Sequence, residues 1–306
     1  KMSAAQLYDL VFESNNQWIL SANGTLFTYE FEAIIPGLLK RWYAERKEMQ
    51  RKMADCGDNE IEREYWDKRQ LVKKINLNSL YGAILNPGCR FFDIRIGQSV
   101  TLTGRCITKH MGAKVNEIVA GKYDHVGESV IYGDTDSVYF SAHNTLAKEI
   151  ESGQIAWNKE SVIALYDKIA DEINNSFPNF MQKAFHCPKT RGELIRAGRE
   201  LVASRGLFIT KKRYAVLYYD KEGTRVDTTG KEGKVKAMGL DLKRSDTPVF
   251  VQDFLSEILY MVLTGKDEKE VLDRITEFRK EFKARPGWEK GSPKRANNMT
   301  KYTEAE

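Results

Sequence analysis

Two carboxylates stand two residues apart in a short segment, Tyr132-Gly-Asp-Thr-Asp-Ser137, with apolar runs on both sides. Residues two apart on an extended chain point to the same side, and Mg²⁺ prefers carboxylate oxygens as ligands. Asp134 and Asp136 are therefore candidate ligands for a divalent metal ion. The same segment is also typical of an ordinary hairpin turn, since Gly, Asp, Thr and Ser all favour turns.

A second group of chemically useful residues lies upstream, where Lys74, Asn78 and Tyr81 have the four-then-three spacing of one helical stripe. An ammonium group can bind phosphate and an aromatic ring can pack against a base, so the stripe is a candidate nucleotide site. The alternative is structural: a solvated lysine, a core tyrosine and a C-terminal cap at Gly82.

These residues require helices and short strands to position them. Pro36 begins a helix that ends near Gly57, and Asn59 with Glu62 forms the capping box of a second helix that runs toward Gly82. Two such helices with a short connection predict an antiparallel hairpin. The apolar stripe of the second helix consists of Ile61, Tyr65, Val72 and Ile75.

The rest of the chain mixes strands and helices, which predicts an α+β fold. After a short strand over 25–30 and the helical hairpin, the patterns predict strands at 90–95, 132–140, 200–210 and 213–219 and helices at 98–120, 161–176, 248–261 and 267–284.

Composition excludes several classes of protein. The 306 residues are 42% hydrophobic and carry 48 Lys+Arg against 43 Asp+Glu, a balance that suits a globular chain and permits an anionic partner. No run approaches the roughly 20 apolar residues of a membrane span. The four cysteines contain no C-x-x-C, so we expect neither disulfides nor structural zinc, and we interpret the four histidines, His110, His125, His143 and His186, as structural or surface residues.

Three motifs in order identify a resemblance to the family B DNA polymerases, in particular to those of T-even-type bacteriophages. The motifs are Lys-x-x-x-Asn-Ser-x-Tyr-Gly at 74–82, Tyr-Gly-Asp-Thr-Asp-Ser at 132–137 and Lys-Lys-Arg-Tyr at 211–214, supported by the segments at 90–93, 236–240 and 247–248. The resemblance implies a palm with an antiparallel sheet and packed helices, a two-helix fingers hairpin and a partial helical thumb. The corresponding regions are a palm-edge segment at 1–35, fingers at 36–82, palm at 83–240 and the start of the thumb at 241–306.

The resemblance also implies roles for individual residues. Asp136 is similar to the family's second principal metal-binding aspartate, and Asp134 to its less directly engaged companion. Lys74 and Arg46 correspond to the cations that bind the triphosphate, and Asn78 to a neighbouring polar residue. The remaining correspondences are Tyr81 and Gly82 with the surface beneath the nascent base pair, Lys211, Lys212, Arg213 and Tyr214 with the primer-strand grip, and Glu200 with a palm carboxylate.

The activity implied is templated DNA synthesis, in which two Mg²⁺ ions promote nucleotidyl transfer from a dNTP to a primer 3′-hydroxyl. Primer–template DNA and dNTP would be the partners, with a sliding clamp of the replisome by family resemblance. No membrane partner is expected. The location implied is the cytoplasm of an infected bacterial host. A glutamate at 200 is also typical of a solvated strand face, so that assignment stays open.

The sequence departs from the family in two respects. Family members carry a further aspartate upstream of the fingers, which this chain lacks, and Gln50 replaces a second phosphate-binding lysine. We therefore interpret the chain as an incomplete polymerase without the exonuclease domain: an excised piece, a partial gene product, or one half of a split enzyme whose second polypeptide supplies the aspartate. The alternatives are a nucleic-acid-binding half with no activity of its own and a two-metal nuclease, which would not explain the stripe of Lys74, Asn78 and Tyr81.

Overall fold

The computed structural model describes residues 2–13, 17–227 and 230–291 as an α+β chain, which confirms the expected fold class. The chain divides into a first unit of 1–139 with 172–196 and a second unit of 140–171 with 197–306. The first half contains α1 (Ala4–Tyr8), a π-helical turn (Asp9–Glu13), β1 (Trp18–Leu20), β2 (Leu26–Thr28), α2 (Ile34–Asp55), α3 (Glu60–Ile84), α4 (Ile94–Ala120), β3 (Val130–Asp134) and β4 (Ser137–Phe140). The second half contains α5 (Ala147–Glu151), α6 (Lys159–Phe185), α7 (Lys189–Gly192), β5 (Leu201–Thr210), β6 (Arg213–Lys221), β7 (Thr224–Arg225), β8 (Lys234–Met238), a 3₁₀ turn (Asp241–Lys243), α8 (Val249–Thr264), α9 (Glu268–Ala284) and α10 (Gly287–Lys290).

Helices α2 and α3 form the expected antiparallel hairpin. The Asn59 side chain accepts a hydrogen bond from the backbone N–H of Glu62, so the predicted N-cap begins α3. The reciprocal half of the predicted capping box is not formed, because the Asn59 backbone N–H donates to the Cys56 carbonyl oxygen and Glu62 Oε2 accepts from Asn59 Nδ2 instead. Across the hairpin, Lys73 pairs with Glu45 at 2.5 Å and lies over the Trp42 ring. The two helices therefore meet through ion pairs and cation–π contacts.

The apolar stripe of α3 is exposed and does not supply the contacts with α2. Ile61, Tyr65, Val72 and Ile75 are 84%, 50%, 55% and 53% exposed. The contacts with α2 come from another face of α3, where Lys73 contacts Glu45 and Trp42 and Gln70 contacts Arg46.

The strand predicted over 90–95 is wrong. Residues 90–93 form a turn, and Asp93 then caps α4 by accepting a hydrogen bond from the backbone N–H of Arg95 at 2.9 Å. The apolar pattern over 90–95 is too short to favour a strand strongly. The Asp93 cap satisfies a free backbone N–H at the start of the 27-residue helix α4, and this stabilisation favours the turn. Hydrogen bonds from Arg95 also lower the pKa of Asp93 to about 2.

The core of the first unit lies along α4 and the C-terminal part of α6. The buried His110 ring is hydrogen-bonded to the Tyr123 hydroxyl at 2.7 Å and to Ser176 Oγ at 2.8 Å, and it stacks on Phe180 with centroids 4.0 Å apart. Neighbouring apolar packing joins Met181, Phe185 and Cys187 with Ile19, Cys106, Ile107, Phe180 and Ile195. One side of α4 is thereby fixed against its own unit.

The second unit is built around β6, the central strand of a four-stranded sheet. β6 pairs antiparallel with β5 on one side and with β7 and β8 on the other. Ala215 and Leu217 on β6 are completely buried and pack with Leu263 of α8. Strand β8 was not predicted from the sequence. Its five residues contain two lysines and show only a short alternation of polar and apolar side chains, and it is a strand because it pairs with β6.

Helices α8 and α9 confirm the helical pattern expected after Pro248. They are held together by aromatic rings, with Phe254 stacked on Phe278 at 3.6 Å between centroids. None of the helices in the described ranges 2–13, 17–227 and 230–291 is both long and apolar enough to cross a membrane.

Two glycines of α4 provide a matched test of packing. A Cβ at Gly97 would lie 1.9 Å from Leu85 Cδ2, whereas a Cβ at Gly104 would meet no atom within 4 Å. We expect Gly97→Ala to lower the free energy of unfolding by about 1–3 kcal/mol through overpacking, and Gly104→Ala to raise it by roughly 0.5–1 kcal/mol. Urea unfolding of both variants measures the difference, and equal effects would contradict the close approach of α3 and α4.

Burial of His110 predicts a pH-dependent stability. Desolvation lowers the pKa of the folded-state imidazole from 6.5 to about 4, so between these values the unfolded chain binds a proton that the folded chain does not. The stability contributed by the neutral ring is present above pH 6.5 and is lost as the pH falls toward 4, by up to about 1.4 kcal/mol per pH unit. Unfolding of the wild type and His110→Gln across this range should show a shallower slope for the variant; parallel slopes would contradict the expectation.

Candidate functional site

The two candidate metal ligands lie on the predicted strand-turn-strand. β3 ends at Asp134, β4 begins at Ser137, and Thr135 between them has a positive φ of 48°. Asp134 is half-buried and its Oδ1 accepts a hydrogen bond from Thr135 Oγ1 at 3.1 Å, whereas Asp136 is exposed. The turn therefore holds one carboxylate against the protein and presents the other to solvent.

The turn is attached to α4 by one side chain. Thr108 Oγ1 donates a hydrogen bond to the Thr135 carbonyl oxygen at 2.8 Å and also lies 3.1 Å from the Gly104 carbonyl oxygen of its own helix. A left-handed conformation is unfavourable for a β-branched residue, so it requires such external support. Thr108 is thus a positioning residue for both carboxylates.

The oxygen ligands available at the turn are of the kind that a hard divalent cation prefers. Asp134 and Asp136 offer only carboxylate oxygens, as Mg²⁺ prefers. Within the described part of the chain, no three His, Cys, Asp or Glu side chains are grouped so as to hold a metal ion. The turn itself thus offers two carboxylate side chains as candidate ligands.

The candidate nucleotide stripe lies at the C-terminal end of α3. Lys74, Asn78 and Gly82 are exposed, and no atom lies within 4 Å of a Cβ placed on Gly82. Tyr81 is half-buried, and its hydroxyl donates a hydrogen bond to the Gly97 carbonyl oxygen of α4 at 3.1 Å. The predicted stripe therefore presents an open surface with one ring fixed at its base.

Arg46 lies on α2 across from this stripe. Its Nε donates a hydrogen bond to Gln70 Oε1 at 3.2 Å, and Gln70 is one helical turn before Lys74 on α3. Gln70 is itself held by Asp67, which accepts a hydrogen bond from its Nε2 at 2.9 Å. The Arg46 side chain therefore contacts α3 one helical turn before Lys74.

Helix α4 connects the nucleotide stripe with the carboxylate turn. Tyr81 is hydrogen-bonded to Gly97, near the start of α4, and the turn is hydrogen-bonded to Thr108, eleven residues later. At about 1.5 Å per residue the two attachment points are about 16 Å apart along the helix axis. One rigid element therefore sets the spacing of both candidate groups.

The basic motif lies at the junction of two paired strands and not along one strand. Lys211 and Lys212 form the turn between β5 and β6, Lys212 has φ of 61°, and β6 begins at Arg213. Tyr214 is buried and stacks on Phe208 at 5.5 Å. A tight reversal between two paired strands requires two turn residues, so the lysines lie at the tip of a hairpin in the second unit.

Glu200 lies just before β5, also in the second unit. Its Oε1 is 2.7 Å from Lys236 Nζ on β8, and its side chain is about half exposed. The structure thus gives this carboxylate a lysine partner from the 236–240 segment, and its assignment to the metal site stays a prediction.

A match to a family model defines the class of the protein. A family model described as DNA polymerase family B matches residues 9–184, which is more than half of the chain. The chain therefore belongs to DNA polymerase family B. The match contains the helical hairpin, α4 and the carboxylate turn.

Individual relatives support the same placement. The chain is 33% identical over 204 residues to the DNA-directed DNA polymerase of Escherichia phage RB69, an alignment that covers 63% of this chain and 22% of the relative. For the DNA-directed DNA polymerase of Enterobacteria phage T4 the identity is 28% over 252 residues, covering 76% and 26%. For the DNA polymerase of Pyrococcus glycovorans it is 26% over 251 residues, covering 82% and 26%. The chain spans about a quarter of the length of these relatives.

Sequence patterns did not indicate Thr108, Gly97 or Gln70. Each acts through a contact with a residue distant in the chain, and none belongs to a recognisable motif. Only the packing of α4 against the turn and of α2 against α3 identifies them.

The attachment of the turn can be tested with two threonines of α4. Thr108 reaches the turn, whereas among the residues that the structure describes Thr101 Oγ1 is hydrogen-bonded only to carbonyl oxygens of its own helix, those of Gly97 and Gln98. We expect Thr108→Val to lower the free energy of unfolding by about 1 kcal/mol and to speed amide exchange over 134–137, with little effect of Thr101→Val. Exchange that is equally fast in both variants would show that Thr108 does not hold the turn.

Proposed function

We propose that this chain supplies the fingers and much of the palm of a DNA polymerase that extends a primer on a template by nucleotidyl transfer. The single observation that carries the proposal is the common attachment of the nucleotide stripe and the carboxylate turn to α4. A triphosphate held by the fingers and a carboxylate pair beside the primer end need a defined separation, because reacting groups must be aligned to within a fraction of an ångström.

In this proposal the cations of the hairpin bind the incoming dNTP. Lys74 is exposed on α3, and Arg46 of α2 contacts Gln70, one helical turn before Lys74. Their positive charges would stabilise negative charge that develops on the departing pyrophosphate. Asn78, Tyr81 and Gly82 would form the surface beneath the nascent base pair, and the small Gly82 leaves that surface open.

Asp136 and Asp134 would hold the divalent metal ions that family B polymerases use. When bound, two Mg²⁺ ions supply activation of the primer 3′-hydroxyl and neutralisation of the triphosphate. The protein's own contribution is geometric: Thr108 and Thr135 fix the turn so that Asp136 faces solvent and Asp134 remains partly buried.

The second candidate function is a nucleic-acid-binding half of a split polymerase with no activity alone. It is favoured by the absence, within the described residues, of a third side chain that would join the two carboxylates at a metal. A second polypeptide would then provide the upstream aspartate and the exonuclease domain. Lys211, Lys212, Arg213 and Tyr214 would grip the primer–template duplex, Glu200 would lie near the metals, and a sliding clamp would be a further partner in the cytoplasm of an infected bacterial host.

Substitution at the carboxylates tests the assignment of the metal ligands. In the polymerase that contains this chain, we expect Asp136→Asn to lower the rate of primer extension by at least about 10³, because it removes charge from a ligand whose effect on the transition state is several kcal/mol. Asp134→Asn should have a smaller effect. Single-nucleotide extension rates provide the measurement, and a loss below about tenfold for Asp136→Asn would overturn the assignment.

Lys74 and Lys68 separate a nucleotide contact from a general charge effect. Both lysines are exposed on α3, but Lys68 lies away from the nucleotide stripe. We expect Lys74→Ala to lower kcat/KM for the dNTP by a factor that corresponds to a loss of about 2–4 kcal/mol of transition-state stabilisation. Lys68→Ala should leave kcat/KM nearly unchanged. Duplex binding should be the same for both. If Lys74→Ala weakened duplex binding as much as insertion, the hairpin would be a DNA clamp.

A further inference from the structure

The turn of the β1–β2 hairpin is docked on the first half of α4. Asn23 Nδ2 donates a hydrogen bond to the Arg95 carbonyl oxygen at 3.1 Å, and Asn23 Oδ1 accepts one from Ser99 Oγ at 2.8 Å. The Ala22 backbone N–H donates to Thr103 Oγ1 at 3.1 Å. Ser99 is buried, and buried polar groups are costly to leave unpaired. These bonds therefore hold the hairpin turn and this part of α4 in one arrangement, which we call the hairpin support.

A second set of contacts holds α4 further along. The His110 ring is hydrogen-bonded to Ser176 Oγ of α6 and to the hydroxyl of Tyr123, which follows α4 in the chain. The ring also stacks on Phe180 of α6. We call these contacts the α6 support. Ser99 and His110 are eleven residues apart, so the two supports are about 16 Å apart along the helix axis.

Each support lies across α4 from one of the two contacts of the candidate site. Ser99 follows Gly97, whose carbonyl oxygen accepts the hydrogen bond from Tyr81, by two residues. His110 follows Thr108, which holds the carboxylate turn, also by two residues. Two residues correspond to about 200° around a helix and about 3 Å along its axis. The hairpin support is therefore behind the Tyr81 contact, and the α6 support is behind the turn contact.

This arrangement separates the effects of the two supports. If the hairpin support is weakened, α4 tilts about His110, and Gly97 moves about six times as far as Thr108, because it is thirteen residues from His110 rather than two. If the α6 support is weakened, α4 tilts about Ser99, and Thr108 moves about 4.5 times as far as Gly97, since it is nine residues away rather than two. Each support therefore acts mainly on the contact opposite to it.

We propose that the hairpin support positions the nucleotide stripe through Tyr81 and that the α6 support positions the carboxylate turn through Thr108. Asn23 and Ser99 are positioning residues for the first group, and Ser176 is a positioning residue for the second. They act through α4 and not by contact with the groups themselves. The inference rests on the proposed function for its chemical meaning, whereas the division of α4 into two separately held parts is a property of the fold.

Two serines provide a matched pair of substitutions. Ser99 Oγ also lies 2.7 Å from the Arg95 carbonyl oxygen, and Ser176 Oγ lies 2.6 Å from that of Ile173, so each serine contacts its own helix as well as its support. Both lose the same single oxygen atom on replacement by alanine. A difference between the two variants therefore reports which support was weakened and not the kind of substitution.

Hydrogen-exchange mass spectrometry of the protein that contains this chain tests the division. We expect Ser99→Ala to speed amide exchange at 81–85 at least about threefold more than at 134–137, because the cost of one lost hydrogen bond falls mainly on the nearer contact. Ser176→Ala should have the reverse effect. Equal acceleration of both regions in each variant would show that α4 moves as one body and would overturn the proposal.

A second variant for each support keeps the test independent of the folding of one protein. Asn23→Ala removes the hairpin partner of Ser99, and Tyr123→Phe removes a hydroxyl partner of His110. We expect Asn23→Ala to reproduce the exchange pattern of Ser99→Ala, and Tyr123→Phe that of Ser176→Ala. Different patterns for two variants of the same support would contradict the proposal.

Single-nucleotide insertion kinetics of the same variants separate this inference from the proposed function. We expect Ser99→Ala to raise the KM for the dNTP at least about threefold and to leave the Mg²⁺ concentration for half-maximal rate unchanged. Ser176→Ala should raise that Mg²⁺ concentration and leave the dNTP KM unchanged. A general loss of stability would move both quantities together and would overturn the positioning roles. If exchange followed the expected pattern but neither quantity changed, the two supports would stand and the assignment of their groups to nucleotide and metal would be wrong.

Discussion

The hydrogen bonds that α4 makes at Gly97 and Thr108 are the constraint on which the candidate site depends. This 27-residue helix is capped at its start by Asp93 and ends at Gly121, which has a φ of 73°. Between these ends, seven residues of α4 are buried, including Val115 and Asn116, and His110 is hydrogen-bonded to Ser176 of α6 and to Tyr123. Because α4 is fixed in this way, its hydrogen bonds at Gly97 and Thr108 can position Tyr81 of α3 and the turn between β3 and β4.

The hairpin of α2 and α3 is held by interactions of a different kind. No residue of α2 is fully buried, and of α3 only Ile84, at its end beside α4, is buried. The contacts between the helices include the Lys73–Glu45 ion pair, the Arg46–Gln70 hydrogen bond and the cation–π contacts of Lys73 with Trp42 and of Lys52 with Trp66. Polar contacts of this type are individually weak in water. The base of the hairpin is thus packed against α4, while polar contacts contribute along its length.

The second unit owes its organisation to the buried strand β6. Its neighbours β5 and β8 pair along it, and an ion pair between Arg199 and the buried Asp220 ties its end to the segment before β5. Arg199 is also hydrogen-bonded to Asp167 of α6 at 2.5 Å. The basic hairpin tip with Lys211 and Lys212 projects from this sheet, so its position follows from strand pairing rather than from its own charges.

The sequence by itself determined the local elements and the candidate chemistry. Helical periodicity and the Asn59 cap predicted α3, and the turn residues between two apolar runs predicted the hairpin of Asp134 and Asp136. These signals are local, because caps, turns and periodicity act over a few residues. Tertiary structure alone decided which face of α3 meets α2, that 90–93 is a turn before α4, and that Thr108 holds the carboxylate turn. Each of these outcomes depends on a partner far away in the chain, and a helical or strand pattern does not specify which partner its faces will contact.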